Sequence, residues 1–155
     1  MKILVDSREQ NPFTFGSFPD AEIVSTALPC GDYSIPGFAD RVAIERKELN
    51  DLVSCLMGTN RERFERELAK AWHYDLFAVV IEASLDDVSK GLYRSEMKPH
   101  AALQSALAFQ VRYRVPFVWA GSRAGAEYVT YSLLEKYTSE IQKRFEHLRK
   151  SQRKG

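Results

Sequence analysis

The chain has 155 residues, of which 45% are apolar and 28% are charged, and 22 basic side chains nearly balance 21 acidic ones. This length and composition predict one globular domain with a buried core and exclude an intrinsically disordered chain. Because the net charge is only +1, nucleic-acid binding through overall basicity is also excluded, and any such binding must depend on local basic patches.

The first third of the chain predicts four short strands separated by turns. A short apolar run ending at Asp6 is typical of a buried strand, and the segment after it, punctuated by Pro and Gly, is predicted to be a loop. A turn at Gly31 precedes the third strand, and another turn separates the third from the fourth. The predicted strands are KILVD, AEIVSTAL, CGDYSI and RVAIERK.

The rest of the chain predicts helices alternating with two buried strands. Helix formers begin at Glu48, and Gly58 is the predicted C-terminal cap of the first helix. In order, the later elements are the helix NRERFERELAKAWHY, the strand FAVVIEA, the helix PHAALQSALAFQVRYR, the strand PFVWAG and a long helix from Ala124. This order predicts an α/β domain over residues 1–148, with a mixed central sheet flanked by helices, followed by a basic C-terminal tail at 149–155.

A cluster of charge interrupts the fourth strand in the segment VAIERKELNDL, residues 42–52. Alternate side chains of a strand share a face, so Glu45 and Lys47 are predicted to stand side by side, roughly 6–7 Å apart at their Cα atoms. A carboxylate and an ammonium so placed can bind a divalent cation and stabilise charge on a phosphate. Alone, a Glu-x-Lys pair is more often just an exposed polar face.

Two more acids are predicted near this pair. Asp6 ends the first strand, and Asp32 follows Gly31, whose backbone freedom lets the chain turn so that the aspartate points inward. Three acids around one cleft would offer the oxygen ligands that Mg²⁺ or Mn²⁺ prefers. A Gly-Asp pair alone is more often an ordinary turn, so it is the combination of elements that suggests a metal site.

The combined pattern is Gly31-Asp32, a hairpin, Glu45-Arg46-Lys47, and Asp51 four residues later. It resembles the nuclease domain of the XPF-type structure-specific DNA endonucleases. Further similar segments are VDSRE, DLVSCLMGTNR, FAVVIEA and PFVWAGSRAGAEYV, so the resemblance extends from Ile3 to about Tyr137. It implies a restriction-endonuclease-like fold.

The resemblance also implies roles for individual residues. Asp32 and Glu45 match metal-binding acids, Asp6 matches an acid that supports the ion, and Lys47 matches the lysine that positions the attacking water. From its spacing, Asp51 is expected to orient Arg46 or Lys47. The implied catalytic residues are Asp6, Asp32, Glu45, Arg46, Lys47 and Asp51; the implied metal ligands are Asp6, Asp32 and Glu45, with Glu9 in support; and the implied DNA-binding residues are Arg8, Arg61 and Arg63.

The function implied is a DNA endonuclease, dependent on Mg²⁺ or Mn²⁺, that cleaves branched or flap-like DNA during repair or recombination. The alternative is a catalytically silent DNA-binding or scaffold module that pairs with an active nuclease. Silent members of the family lose acids from the motif, whereas Asp32, Glu45, Lys47 and Asp51 are all present here, which favours the enzyme. XPF-type proteins typically carry a tandem helix-hairpin-helix module after this domain, and its absence from the sequence leaves the DNA geometry open.

The expected partners are DNA, a second copy of the chain, and an additional protein that supplies the missing DNA grip. The last helix carries an apolar stripe, formed by Leu134, Tyr137, Ile141, Phe145 and Leu148, that folds back on its own domain or pairs with its twin. Because the family's nuclease domains pair through this region, the homodimer is preferred.

No feature of the sequence points to secretion or a membrane. Cys30 and Cys55 form neither a disulfide framework nor a metal-binding spacing, and the N-terminus reaches an acid too early for a signal peptide. No apolar run approaches membrane-spanning length. The expected localisation is cytoplasmic.

Overall fold

The computed structural model describes residues 1–153 and confirms an α/β domain built on a mixed sheet. Six strands form one sheet in the order β2-β1-β3-β4-β5-β6. They are β1 (Lys2–Asp6), β2 (Glu22–Thr26), β3 (Tyr33–Ser34), β4 (Val42–Lys47), β5 (Leu76–Ile81) and β6 (Phe117–Trp119). Five of these strands fall within segments that the sequence predicts to be strands, and β5 begins one residue before its predicted segment, at Leu76.

Within residues 1–153, five α-helices accompany the sheet, together with a short 3₁₀ helix at Lys70–His73. The α-helices are α1 (Leu49–Ser54), α2 (Gly58–Ala69), α3 (Leu85–Ser89), α4 (Pro99–Tyr113) and α5 (Arg123–Arg153). The prediction for Gly58 was wrong: α1 already ends at Ser54, and Gly58 begins α2. The sequence analysis also did not predict α3. Its five residues form a helix whose N-terminus is capped by a capping box between Ser84 and Asp87.

The strand directions bring the carboxyl ends of β1, β2, β4, β5 and β6 to one edge of the sheet. β3 runs antiparallel to both β1 and β4, so β1 and β4 run in the same direction. β4, β5 and β6 are parallel, with Lys47 opposite Ile81. The carboxyl ends of these five strands therefore meet at a single edge, which we call the carboxyl edge.

Each face of the sheet packs against its own hydrophobic core. On one face Ala43 and Val79 join apolar side chains from α1, α2 and α4. On the other face Ile44 and Val80 join α5 and the buried rings of the β1–β2 loop, Phe13 and Phe15. The apolar run of β5 is buried from Phe77 to Ile81, as expected for a strand covered on both faces.

The helix α5 is 31 residues long and extends well past the sheet. Leu134 lies in the core, whereas Phe145 and Leu148 are 58% and 52% exposed. The apolar stripe is thus half packed on its own domain and half exposed. The helix continues unbroken to Arg153, so no structural boundary marks residue 149; Lys154 and Gly155 lie outside the described residues.

Within residues 1–153, none of the helices combines the length and the apolar character that crossing a membrane requires.

Candidate active site at the carboxyl edge of the sheet

Gly31 and Asp32 are wedged between the ends of β1 and β4. The Asp32 amide donates to Ile44 O at 2.8 Å, and the Asp6 amide donates to Asp32 O at 2.8 Å. Gly31 has φ = +71°, and a Cβ at this position would lie 3.0 Å from Ala43 Cβ and 3.1 Å from Ile44 O. Only glycine combines this conformation with this close approach, so it places the aspartate beside β4.

Glu45 and Lys47 lie side by side on β4, as strand alternation predicts. Lys47 Nζ is 3.1 Å from Glu45 Oε1, and each side chain is only 16% exposed. The ammonium also lies over the Phe64 ring of α2, at 5.1 Å from its centroid. Both side chains therefore point to the face of the sheet that carries α1, α2 and α4.

The two acids of this site are destabilised as anions. Burial, followed by the charge of Glu45, raises the pKa of Asp32 from 3.8 to about 8. Burial also raises the pKa of Glu45, although Lys47 opposes the shift. Burial lowers the pKa of Lys47, but the Glu45 charge outweighs it and the net pKa is raised. Two crowded carboxylates beside a charged ammonium are the arrangement that a bound cation relieves.

Arg46 points to the opposite face of β4 and is held by two acids. Its Nη2 and Nε donate to Glu9 at 2.9 and 3.3 Å, and its Nη1 donates to Glu82 at 3.0 Å. Burial disfavours the charged guanidinium, yet these two carboxylates raise the pKa of Arg46. Conversely, the hydrogen bonds from Arg46 and from the Asn11 amide outweigh burial and lower the pKa of Glu9.

Two of the predicted catalytic residues are placed differently from expectation. Both carboxylate oxygens of Asp6 are engaged, one by Arg8 Nε at 2.9 Å and the other by the Leu28 amide at 3.1 Å, and Asp6 is not among the residues that line the cleft. Asp51 is exposed at the rim. The expectation that Asp51 orients Arg46 or Lys47 was wrong, because Arg46 is held by Glu9 and Glu82, and Lys47 by Glu45.

The three predicted DNA-binding arginines fall into different environments. Arg61 is used within the fold: its guanidinium donates to Leu56 O and Ser105 Oγ, both at 2.9 Å, and stacks on Phe109. This tie between α2 and α4 leaves Arg61 a poor candidate for DNA contact. Arg63 is exposed on α2, and Arg8 is 71% exposed at the mouth of the cleft.

These groups surround an open, mostly polar cleft of about 410 Å³. Its lining residues are Arg8, Glu9, Gln10, Asn11, Asp32, Glu45, Arg46, Lys47, Glu48 and Asp51. A larger cavity of about 640 Å³ lies between the N-terminus and α5, away from these charges. Because the smaller cleft gathers the acids and the ammonium, it is the candidate active site.

The donor groups of this cleft determine whether it can hold a divalent cation. Within residues 1–153 no three His, Cys, Asp or Glu side chains are arranged to hold a metal ion, so the predicted triad of Asp6, Asp32 and Glu45 is not assembled. Mg²⁺, however, is commonly held by one or two carboxylates, with water and substrate phosphate completing its shell. Asp32 and Glu45 line the same cleft and offer two such carboxylates.

Sequence reasoning missed two residues of this region, Glu82 and Arg123. Glu82 directly follows β5 and pairs with both Arg46 and Arg123. An acid at the end of a buried strand is the same signal that drew attention to Asp6, so Glu82 was open to prediction. Arg123, at the first turn of α5, carries no comparable signal.

A mixed sheet with acids gathered at its carboxyl edge defines a restriction-endonuclease-like α/β domain. A family model described as the ERCC4 domain matches residues 5–133. The chain therefore belongs to the ERCC4 domain family, the family of XPF-type nuclease domains, which confirms the resemblance found in the sequence.

Two solved structures resemble this fold. One is XPF from Aeropyrum pernix, with a TM-score of 0.70 and 20% identity, covering 97% of this chain and 73% of that chain. The other is XPF from Aeropyrum pernix in complex with DNA, with a TM-score of 0.65 and 22% identity, covering 90% of this chain and 66% of that chain. These matches confirm the fold predicted from the sequence. No curated protein sequence matches the chain.

Proposed function

We propose that this protein is a divalent-metal-dependent endonuclease that hydrolyses phosphodiester bonds in branched or flap-like DNA. The observation that carries the proposal is the meeting of Asp32, Glu45 and Lys47 in one cleft at the carboxyl edge. Family membership supports it, since the ERCC4 domain is a nuclease domain. The intact set of motif side chains favours an active enzyme over a silent DNA-binding module.

Asp32 and Glu45 would hold the cation. Their raised pKa values mean that two negative charges in this cleft are costly without a positive partner. A bound Mg²⁺ or Mn²⁺ would supply Lewis-acid polarisation of the scissile phosphate and a more acidic water. The Arg46 amide donates to Asp32 Oδ2 at 2.8 Å, which fixes the orientation of that carboxylate.

Lys47 would stabilise the charge that develops on the phosphate. Its raised pKa keeps it an ammonium across the physiological range. The Glu45 carboxylate and the Phe64 ring hold it in place, so little reorganisation is needed when charge develops nearby. A preorganised donor of this kind typically contributes on the order of 10²-fold to the rate.

DNA would approach the cleft past exposed basic side chains. Arg8 lies at the mouth of the cleft and Arg63 on the outer face of α2. One of the two similar structures is a complex of XPF with DNA, which supports DNA as the ligand here. Such phosphate contacts would make binding strongly dependent on salt.

A homodimer through α5 is part of this proposal. Phe145 and Leu148 remain exposed on a helix that extends beyond its own core. Exposed apolar side chains along one helix are typical of a docking surface. A two-fold pair would cover them and double the basic surface offered to DNA.

The test is a cleavage panel of labelled flap, fork and plain duplex DNAs with Mg²⁺, Mn²⁺ or EDTA. We expect cleavage that requires the metal and that is lost in Asp32→Asn and Glu45→Gln, while DNA binding measured by anisotropy in EDTA is retained. Asp86→Asn, which changes an exposed acid on α3, is the control and should cleave normally. Binding without cleavage under every condition would contradict the nuclease and favour the silent module.

A further inference from the structure

Four charged side chains form a continuous ionic chain on the α5 side of the cleft, which we call the arginine clamp: Glu9, Arg46, Glu82 and Arg123. Arg46 binds Glu9 through two donors and Glu82 through a third. The same oxygen of Glu82 accepts a second hydrogen bond from Arg123 Nη1 at 2.9 Å. The clamp thereby connects the β1–β2 loop, β4, the end of β5 and the start of α5.

The other end of Arg123 grips the loop that forms a wall of the cleft. Its Nη2 donates to Asn11 O at 2.9 Å and to Pro12 O at 3.0 Å. Its guanidinium also lies over the Phe13 ring, 4.9 Å from the centroid. Glu9 and Asn11 belong to this loop and line the cleft, so Arg123 holds the wall from behind.

The clamp is mostly inaccessible to a substrate. Glu9, Arg46 and Glu82 are only 8%, 11% and 9% exposed, whereas Arg123 is 39% exposed. The Nε, Nη1 and Nη2 donors of Arg46 all point at carboxylates rather than into open solvent. Arg46 is therefore better placed to fix Glu9 than to bind a DNA phosphate.

We propose that Arg123 and Glu82 are positioning residues that act through Arg46 to hold the Glu9 carboxylate and its loop against the cleft containing Asp32 and Glu45. The effect of this positioning on catalysis rests on the proposed nuclease function. A fork-shaped guanidinium is needed at position 123, because one side chain must reach Glu82 and two backbone carbonyls at once. Lysine can occupy only part of that geometry.

The experiment compares Arg123→Met, Arg123→Lys and Glu82→Gln with Arg41→Met as the matched control. Arg41 forms an ion pair with Asp75 at the opposite end of β4, so the control removes a similar pair away from the cleft. Hydrogen exchange is followed at the Asn11 and Phe13 amides, which donate to Glu9 Oε1 and Tyr33 Oη. Cleavage kinetics are measured on the same proteins.

In Arg123→Met and Glu82→Gln we expect faster exchange at both amides and a kcat about 10- to 100-fold lower, the usual range for loss of a supporting contact. KM should change less than two-fold. Arg123→Lys should fall between Arg123→Met and the unmutated protein. A double variant that combines Arg123→Met with Glu82→Gln should be no worse than the worse of the two single variants, because the pair acts as a unit. Arg41→Met should match the unmutated protein in both measurements.

Two results would overturn the positioning role. One is unchanged hydrogen exchange at the Asn11 and Phe13 amides in Arg123→Met. The other is faster exchange at these amides with a normal kcat, which would make the clamp purely structural. An unmutated protein that never cleaves DNA would refute the nuclease instead. The positioning of Glu9 would then be judged by exchange alone, with unchanged Asn11 exchange counting against it.

Discussion

Replacing Asp32 by Asn should stabilise the metal-free protein at alkaline pH while removing cleavage. The amide has nearly the same shape as the carboxylate, and its oxygen can still accept the hydrogen bond from the Arg46 amide. What disappears is a negative charge that burial and Glu45 both oppose. Removing a functional acid therefore separates activity from stability, which is typical of active-site residues.

The magnitude follows from the raised pKa of Asp32. In the unfolded chain this group loses its proton near pH 3.8, but in the folded protein it keeps the proton up to about pH 8. Stability therefore falls as the pH rises from about 4 to 8, and the full penalty is present above pH 8. At about 1.4 kcal/mol for each pKa unit, the upper limit is about 6 kcal/mol. Water entering the open cleft reduces this, and we expect about 1–3 kcal/mol.

The assay is thermal unfolding in EDTA at pH 5 and pH 8.5. A gain of about 1–3 kcal/mol should raise the Tm of Asp32→Asn by roughly 2–12 °C at pH 8.5, and by much less at pH 5. Adding Mn²⁺ should stabilise the unmutated protein by about 2.7 kcal/mol at 100 times Kd but leave the variant unchanged. Asp86→Asn is the control at both pH values. A variant less stable than the unmutated protein at pH 8.5, or an equal gain at both pH values, would refute the reasoning.

Three further predictions test other parts of the molecule. Lys47→Met should lower kcat on the order of 10²-fold with little change in DNA affinity; an equal loss of affinity would show that Lys47 only binds phosphate. Arg61→Ala should lower the free energy of unfolding by about 1–2 kcal/mol and spare DNA binding, whereas Arg63→Ala should weaken binding at low salt and spare stability; the reverse pattern would contradict both assignments. Phe145→Asp combined with Leu148→Asp should convert a dimer into a monomer in light scattering at micromolar concentration, and a monomeric mass for the unmutated protein would end the dimer proposal.

The strands and the carboxyl edge could be predicted from the sequence because they depend on local periodicity. Alternation along β4 was sufficient to place Glu45 and Lys47 on one face, and the structure puts their charged atoms 3.1 Å apart. The short apolar runs of β1, β5 and β6 were equally legible. The role of Gly58 was predicted wrongly because glycine occurs at both ends of helices. α1 ends before it, at Ser54, and Gly58 begins α2.

The partners of the charged residues could not be predicted from the sequence, because they come from distant parts of the chain. Arg46 is held by two acids, Glu9 and Glu82, which lie 37 and 36 residues away from it in sequence. Asp51 was expected to orient Arg46 or Lys47 only because it is close in sequence. Arg61 looked like a free basic residue for the same reason, yet its contact with Ser105 spans 44 residues. Motif spacing identifies which side chains gather at the site, but the fold decides which of them pair.

The wedge at Gly31 has a consequence for how variants of this protein would be selected. Any side chain at this position would be forced against Ala43 and Ile44, so substitutions should reduce both the amount of folded protein and its chemistry. At Asp32, one residue later, a substitution that keeps the shape should leave abundance intact and affect chemistry alone. A library screened for abundance would therefore lose variants at Gly31 and retain the shape-preserving variants at Asp32. Two adjacent residues of one motif are thus constrained for different reasons: Gly31 by the backbone conformation and Asp32 by the reaction.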